Sequence, residues 1–274
     1  MPVLPQSNQT LIELVQQRIG RQAIAPFGFN ANGDLRRISA VLFLLGQRDD
    51  QTPYLILNKR SDQVRQPGDL CCPGGGVSPS VDTLIAKSLH LPKSPLSRWP
   101  HEKWWRQHRP VDYKKLSLLL ATALREGVEE MRLNPLGIRF LGPMPPQELV
   151  MFKRAIYPLA GWVNHQHHFF PNWEVEKIIW IPLASFFDHA NYARYRISFN
   201  LGNNNKETIP DREMPCFVHR QEGQDELLWG ATYRITMQFL ATVFDYSQPP
   251  IDSVPVVYRQ LGQRYLNGSV VSQA

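Results

Sequence analysis

The stretch ALREGVEEM, residues 123–131, crowds Arg125, Glu126, Glu129 and Glu130 together between apolar flanks. On a helix, residues three and four apart share a face, so the carboxylates of Glu126, Glu129 and Glu130 converge. Like charges at this spacing repel by roughly a few tenths of a kcal/mol per pair even on an exposed helix. A cation would offset that repulsion. A hard divalent ion takes oxygen ligands, and Mg2+ in particular binds through one or two carboxylates together with substrate phosphates. Arg125 can hold one of the carboxylates through a bidentate bond. A solvated charged face is the plain alternative for the same four residues.

A second stretch with chemical potential is CPGGG, residues 72–76. Glycines after a short strand reach backbone conformations closed to other residues. They can present carbonyls to a metal or amides to a phosphate. Two further clusters read as structural. His165, His167 and His168 lie in NHQHHFF, where the alternation of an extended segment splits them between faces and favours a structural or solvent role over metal binding. Trp99, Trp104 and Trp105 are interleaved with Arg98, Lys103, Arg106 and Arg109. That pattern can stack on single-stranded nucleic acid, or it can form a small helical cap whose cations reach outward to water. The cap is the expectation.

The elements that must position these residues follow from periodicity. Residues 10–23 have the apolar spacing of an amphipathic helix, through Leu11, Leu14, Val15 and Ile19. Residues 24–36 read as a loop by their Pro, Gly and Asn content. Residues 37–45 (RISAVLFLL) and 54–60 (YLILNKR) read as two strands joined by a polar turn, hence a hairpin. A short strand is expected at 69–72. Residues 115–131 have strong helical spacing, with Leu116, Leu119, Leu120 and Ala123 on the buried stripe. Strands are expected at 138–141, 155–163 and 175–181, and a short helix opens at Ile181. Residues 196–199 and 216–219 read as a hairpin around the polar turn NLGNNNKE, and 227–244 as a long buried helix. The segment 79–115 stands apart, rich in Trp, Pro and basic residues.

A chain of 274 residues with 43% hydrophobic and 20% charged residues can bury a sizeable core. No apolar run reaches the roughly 18 residues of a membrane span. The N-terminal sequence MPVLPQSNQT lacks the pattern of a secretory signal. Cys71, Cys72 and Cys216 have no CxxC spacing, so neither a disulfide framework nor a zinc site is indicated, and a reducing cytoplasm is the expected compartment. A net charge of +6 favours anionic partners.

Taken together, PGG followed by a helix carrying REXXEE resembles the box of the Nudix hydrolases. The preceding LNKRSDQVRQPGDLCCPGG, residues 57–75, is similar to the signature of the coenzyme A diphosphatase branch, matching at Arg60, Ser61, Arg65, Gly68, Pro73, Gly74 and Gly75. The segments LGPMPPQ, IIWIPL and LLWGAT also look like that branch, so the resemblance covers roughly residues 11–244. It departs from the pattern in several places. Between Gly75 and Arg125 lie 49 residues, which implies an insertion at about 79–115 inside the box. The box's first acidic position falls on Val81, with Asp82 beside it. Gly127 stands inside REXXEE, at a cost of about 1 kcal/mol relative to Ala. Arg65 and Gly68 are one residue too close, and Cys72 replaces the usual aromatic.

The resemblance implies an α/β fold, the Nudix α/β/α sandwich with a mixed sheet, in a single domain over 1–274. It implies hydrolysis of a nucleoside diphosphate linkage with Mg2+ or Mn2+. Coenzyme A or a derivative would be cut to 3',5'-ADP and 4'-phosphopantetheine. The alternatives are another nucleoside diphosphate, such as ADP-ribose, NADH or a dinucleoside polyphosphate, or an inactive nucleotide-binding module. By the same resemblance Glu126, Glu129, Glu130 and the Gly75 carbonyl would hold metal and Arg125 would orient a glutamate. Glu174 is the candidate late-loop ligand or base, and Arg60, Arg65, Gly74 and Gly75 would bind substrate. The partner expected is a small nucleotide, with nucleic acid disfavoured and a homodimer compatible with the reading. The insertion is expected to form a short helix near 101–108 beside the cleft and to supply no metal ligand.

Overall fold

The run ISAVLFLLGQ forms β1 (Ile38–Gln47), the strand at the centre of the fold. Its apolar residues are continuous because both of its faces are covered. Val41, Phe43 and Leu45 enter one core, while Ala40, Leu42 and Leu44 enter the other. β2 (Pro53–Arg60) pairs antiparallel with β1, as the hairpin reading expects. β7 (Arg154–Val163) runs parallel to β1 on its other side, which makes the sheet mixed. β3 (Leu70–Cys71) and β5 (Ile138–Pro143) extend the sheet to the order β3-β2-β1-β7-β5. Three further strands attach to this path: β4 (Gly74–Gly76) to β1, β6 (Gln147–Leu149) to β7, and β8 (Val175–Pro182) to β2. The computed structural model describes residues 4–20, 35–149, 154–200, 213–221, 223–262 and 265.

Helices cover both faces. α1 (Asn8–Ile19) and α5 (Gly230–Phe244) pack on one side. α2 (Pro79–Ser88), α3 (Glu102–His108) and α4 (Pro110–Met131) pack on the other. The result is the expected α/β/α sandwich. No helix among the described residues is long and apolar enough to cross a membrane. Ser7 caps α1, its hydroxyl accepting the Thr10 N–H at 3.1 Å. α4 begins at Pro110, five residues before the periodicity suggests, because proline fits the first turn of a helix. It ends at Arg132, whose left-handed φ of 55° turns the chain away.

Several boundaries differ from the sequence reading. α1 ends at Ile19; residues 21–34, which hold most of the expected loop, lie outside the described residues, and Leu35–Arg37 form a 3-10 turn leading into β1. α5 begins only at Gly230. Leu227 and Leu228 belong instead to β11 (Gln224–Leu228). That strand pairs with β10 (Glu213–Gln221), β10 pairs with β9 (Tyr192–Asn200), and the tail strand β12 (Val256–Gly262) adds parallel to β9. This second sheet joins the α5 core through Tyr192, Phe217 and Leu228. Most of the expected turn NLGNNNKE lies outside the described residues.

The segment 79–115 does contain the expected short helix, α3, but it does not pack beside the carboxylates. Trp99 Nε1 donates to the Leu141 carbonyl at 3.0 Å, and Trp105 Nε1 donates to the Gly20 carbonyl at 3.0 Å. Both rings are buried, and Arg109 lies over Trp104 and Trp105. Residues 99–109 are thus an aromatic cap at the edge of the sandwich, where β5 meets the C-terminal end of α1. Strand β5 lies three positions from β2, about 14 Å at ~4.8 Å per strand, so burial of the indoles outweighs any role at the cleft.

Candidate functional site

The carboxylate helix α4 lies under the glycine strand β4, and the two are in direct contact. A side chain at Gly74 would place its Cβ 2.4 Å from the Ala40 carbonyl, and the residue has φ of +152°. Only glycine lets β4 approach β1 this closely. A Cβ at Gly75 would stand 2.5 Å from the Glu126 carboxyl group, so the loop rests directly on that carboxylate. Gly127 has a comparable reason. A Cβ there would meet Leu133 at 2.8 Å and Leu42 at 3.3 Å, so its helix-breaking cost is offset by close packing of α4 on β1.

Arg125 is the hub. Its Nε donates to Asp82 Oδ1 at 2.7 Å and its Nη2 to the Gly76 carbonyl at 3.1 Å. Its Nη1 reaches Glu126 Oε1 at 3.0 Å and both Glu129 oxygens at 3.3 Å. Asp82 is fully buried and also accepts from the Ser78 N–H and the Thr122 hydroxyl, each at 2.7 Å. Helix α2, the glycine strand and α4 are therefore clamped through one guanidinium. Sequence reasoning assigned this acidic position to Val81, which is 46% exposed on α2. Counting from Gly76 instead of Gly75 lands on Asp82, so the signal was present one residue away. It also follows that the site reaches into the segment taken as an insertion.

Glu130 is the most buried of the helix carboxylates. Asn58 Nδ2 donates to its Oε2 at 2.8 Å and the Gly74 N–H at 3.2 Å. Burial pushes the Glu130 carboxyl up to about 8, with added repulsion from Glu126 and Glu174. Burial likewise raises Glu126, against the pull of Arg125 and with repulsion from Glu129 and Glu174. Glu129 is half exposed.

Glu174 reaches this site on the loop before β8. Asn172 N–H donates to the Glu130 carbonyl at 2.9 Å and Phe170 N–H to the Met131 carbonyl at 3.1 Å, so the loop caps the C-terminus of α4. Ser61 N–H donates to the Glu174 carbonyl at 2.9 Å. Of the arginines, Arg60 acts on Glu130 through its charge, and its Nε is held by the Arg65 carbonyl at 2.7 Å. The Arg65 side chain is exposed, and no contact joins it to the carboxylates among the described residues. The three histidines are all exposed and stand apart from the site, with His167 4.0 Å from Asp49.

The donor set is chemically that of a hard cation. It offers carboxylate oxygens, and next to them the buried Asn58 Oδ1 has no hydrogen-bond partner. Mutual repulsion of Glu126, Glu130 and Glu174 is the strain such a cation relieves. Among the described residues, no three His, Cys, Asp or Glu side chains converge into a ready-made cage. The reason is visible in the hydrogen bonds: Glu126 and Glu129 turn to Arg125, and Glu130 turns to Gly74 and Asn58.

A glycine strand resting on an Arg-braced carboxylate helix, on an α/β/α sandwich, defines a recognisable class. The chain is similar to Nudix hydrolases. It is 24% identical over 198 residues to the peroxisomal coenzyme A diphosphatase NUDT7 of Mus musculus, a match covering 71% of this chain and 65% of that protein. The chain therefore spans just under two thirds of that relative's length. It is 24% identical over 196 residues to the uncharacterized Nudix hydrolase NudL of Pectobacterium atrosepticum, covering 71% of this chain and 77% of that one. No family model matches the chain. Among solved structures, a Nudix hydrolase from M. smegmatis, RenU, is similar over 55% of this chain and 74% of its own, at 15% identity and a TM-score of 0.34. A MutT/nudix family protein from Enterococcus faecalis is similar over 76% and 62%, at 12% identity and a TM-score of 0.39.

Proposed function

We propose that this protein hydrolyses a nucleoside diphosphate linkage with Mg2+ or Mn2+, and that its substrate is coenzyme A or a derivative, cut to 3',5'-ADP and 4'-phosphopantetheine. The observation that carries the reading is the geometry of the helix carboxylates under the glycine strand, with Gly75 resting on Glu126, the Gly74 N–H donating to Glu130, and Arg125 bracing Glu126 and Glu129. Glu126, Glu129 and Glu130 would hold the metal, with the Gly75 carbonyl beside them. Bound there, a divalent cation neutralises diphosphate charge and acidifies water. The chain's own residues do the remaining work of positioning, which dominates phosphoryl chemistry. Arg125 fixes the carboxylates of Glu126 and Glu129. Glu174, on the loop before β8, would accept the proton of the attacking water at its carboxylate. Arg60 and Arg65 are the cations for substrate phosphates. The signature at residues 57–75 and the mouse relative's name support coenzyme A over other nucleotides. The three free cysteines support a reducing compartment such as the cytoplasm.

The test is product analysis by mass spectrometry across coenzyme A, ADP-ribose, NADH and dinucleoside polyphosphates, with each metal in turn. Release of 3',5'-ADP from coenzyme A at the highest kcat/KM is the expected result. A higher kcat/KM for another nucleotide would remove the coenzyme A assignment. No turnover of any diphosphate would remove the enzymatic one.

A further inference from the structure

The loop that delivers Glu174 also carries Trp173, and this indole is the unexplained feature of the site. It is 60% exposed, although a tryptophan gains much from burial. It packs on no aromatic ring among the described residues. Its backbone, in contrast, is fixed. Ser61 Oγ donates to the Trp173 carbonyl at 2.7 Å, and Asn172 and Glu174 on either side are tied to Glu130 and to Ser61. The backbone of Trp173 therefore lies between the Arg60–Ser61 end of β2 and the C-terminus of α4, next in the chain to Glu174, whose charge acts on Glu126 and Glu130. An exposed indole on an anchored backbone, next to the residue whose charge reaches the carboxylates, suits a flat π-system attached to a diphosphate through a sugar.

We propose that Trp173 is a substrate-positioning residue that stacks on the nucleobase of the nucleotide, giving the site its demand for a nucleoside on one side of the diphosphate. This rests on the reading of the site as a diphosphatase. Stacking is tolerant of base identity because every base has a π-face, so Trp173 selects nucleosides as a class. Its contact is made equally before and during the reaction, which places its effect in KM and not in kcat.

The experiment compares wild type, Trp173→Ala and Trp173→Phe in the full chain, with saturating Mg2+. One arm measures steady-state kinetics on coenzyme A, on ADP-ribose and on a P1,P2-dialkyl diphosphate that has no base. Trp173→Ala is expected to raise KM for the nucleotides by about 5- to 150-fold, the loss of one base–aromatic stack. The dialkyl compound should be unaffected, and Trp173→Phe should restore most of the loss. A second arm, without turnover, titrates AMP against intrinsic tryptophan fluorescence. Quenching in wild type that disappears in Trp173→Ala supports the stack even if no diphosphate is hydrolysed, so failure of the diphosphatase reading and failure of the stack give different results. Unchanged nucleotide KM together with unchanged AMP quenching in Trp173→Ala overturns the proposal, as does an equal KM rise for the dialkyl compound.

Discussion

Replacing Asp82 with Ala is expected to destabilise the fold by about 3 kcal/mol. The magnitude follows from what Asp82 holds. Its carboxylate is fully buried and takes Arg125 Nε and Nη2, the Ser78 N–H and the Thr122 hydroxyl. The Arg125 side chain is only 13% exposed. Removing one partner of a buried ion pair costs roughly 3–5 kcal/mol, because the other charge is left without compensation. Arg125 would keep Glu126, Glu129 and the Gly76 carbonyl, which places the loss at the lower end. For a chain of this size each kcal/mol moves Tm by about 2–4 °C, so the drop should be about 6–12 °C. Asp82→Asn should also destabilise, since its amide turns N–H groups toward donors that need an acceptor, at ~1–3 kcal/mol. The assay is urea denaturation of both variants, of Arg125→Ala and of the Asp82→Ala/Arg125→Ala double variant. A coupling within ~0.5 kcal/mol of zero would mean that the two residues do not interact in solution, and the clamp would be wrong.

Glu130→Gln should lower turnover at least a hundredfold under saturating metal while sparing the fold, and near-normal activity would remove Glu130 from the site. The same residue gives a pH signature in EDTA: burial raises its folded value to about 8, above the unfolded ~4.3. The folded state therefore holds a proton that the unfolded state releases between those values, so stability falls as pH rises from about 4.3 to 8 and is flat above. Melts should show this slope in wild type and lose it in Glu130→Gln; identical slopes would refute the cause. Gly75→Ala pushes a Cβ to 2.5 Å from the Glu126 carboxyl group, the free end of a side chain. It should cut activity while moving Tm by only a few degrees. Arg65→Ala should weaken coenzyme A more than dephospho-coenzyme A, and an equal loss would argue against a 3'-phosphate contact.

The parts of the fold legible in the sequence are those with a strong period or a buried run. β1 is apolar on both faces because two helical layers cover it, and α4 repeats Leu116, Leu119, Leu120 and Ala123 on one stripe. The second sheet was legible only as one hairpin. β11 is the sequence QDELL, too short and too polar at its start to be separated from the helix after it. β12 pairs parallel to β9 from far along the chain, and no local pattern announces a partner at that distance. The aromatic segment was legible as a cap but not as to where the cap sits. Trp99 and Trp105 chose the Leu141 and Gly20 carbonyls because a buried indole N–H needs an acceptor, and only the tertiary structure says which carbonyls are free to accept.

At the site, the legible residues are those whose spacing is local, and the missed ones are those that act across the chain. Glu126, Glu129 and Glu130 share a helix face by arithmetic. Asn58 and Asp82 reach the same cluster from β2 and α2; no spacing registers Asn58, and the box spacing finds Asp82 only when counted from Gly76. Their roles differ in kind from those of the carboxylates. Asn58 and the Gly74 N–H hold Glu130 by donating to it, while Asp82 holds Arg125 by accepting from it. The arginine then orients Glu126 and Glu129. Each carboxylate proposed for metal binding on α4 is thus fixed by a neighbour that itself stays outside the proposed ligand set. That division explains how a long segment can stand between the glycine strand and α4. The helical stretch that carries Asp82 remains next to the strand, and the residues after it are free to build an aromatic cap elsewhere without moving the clamp.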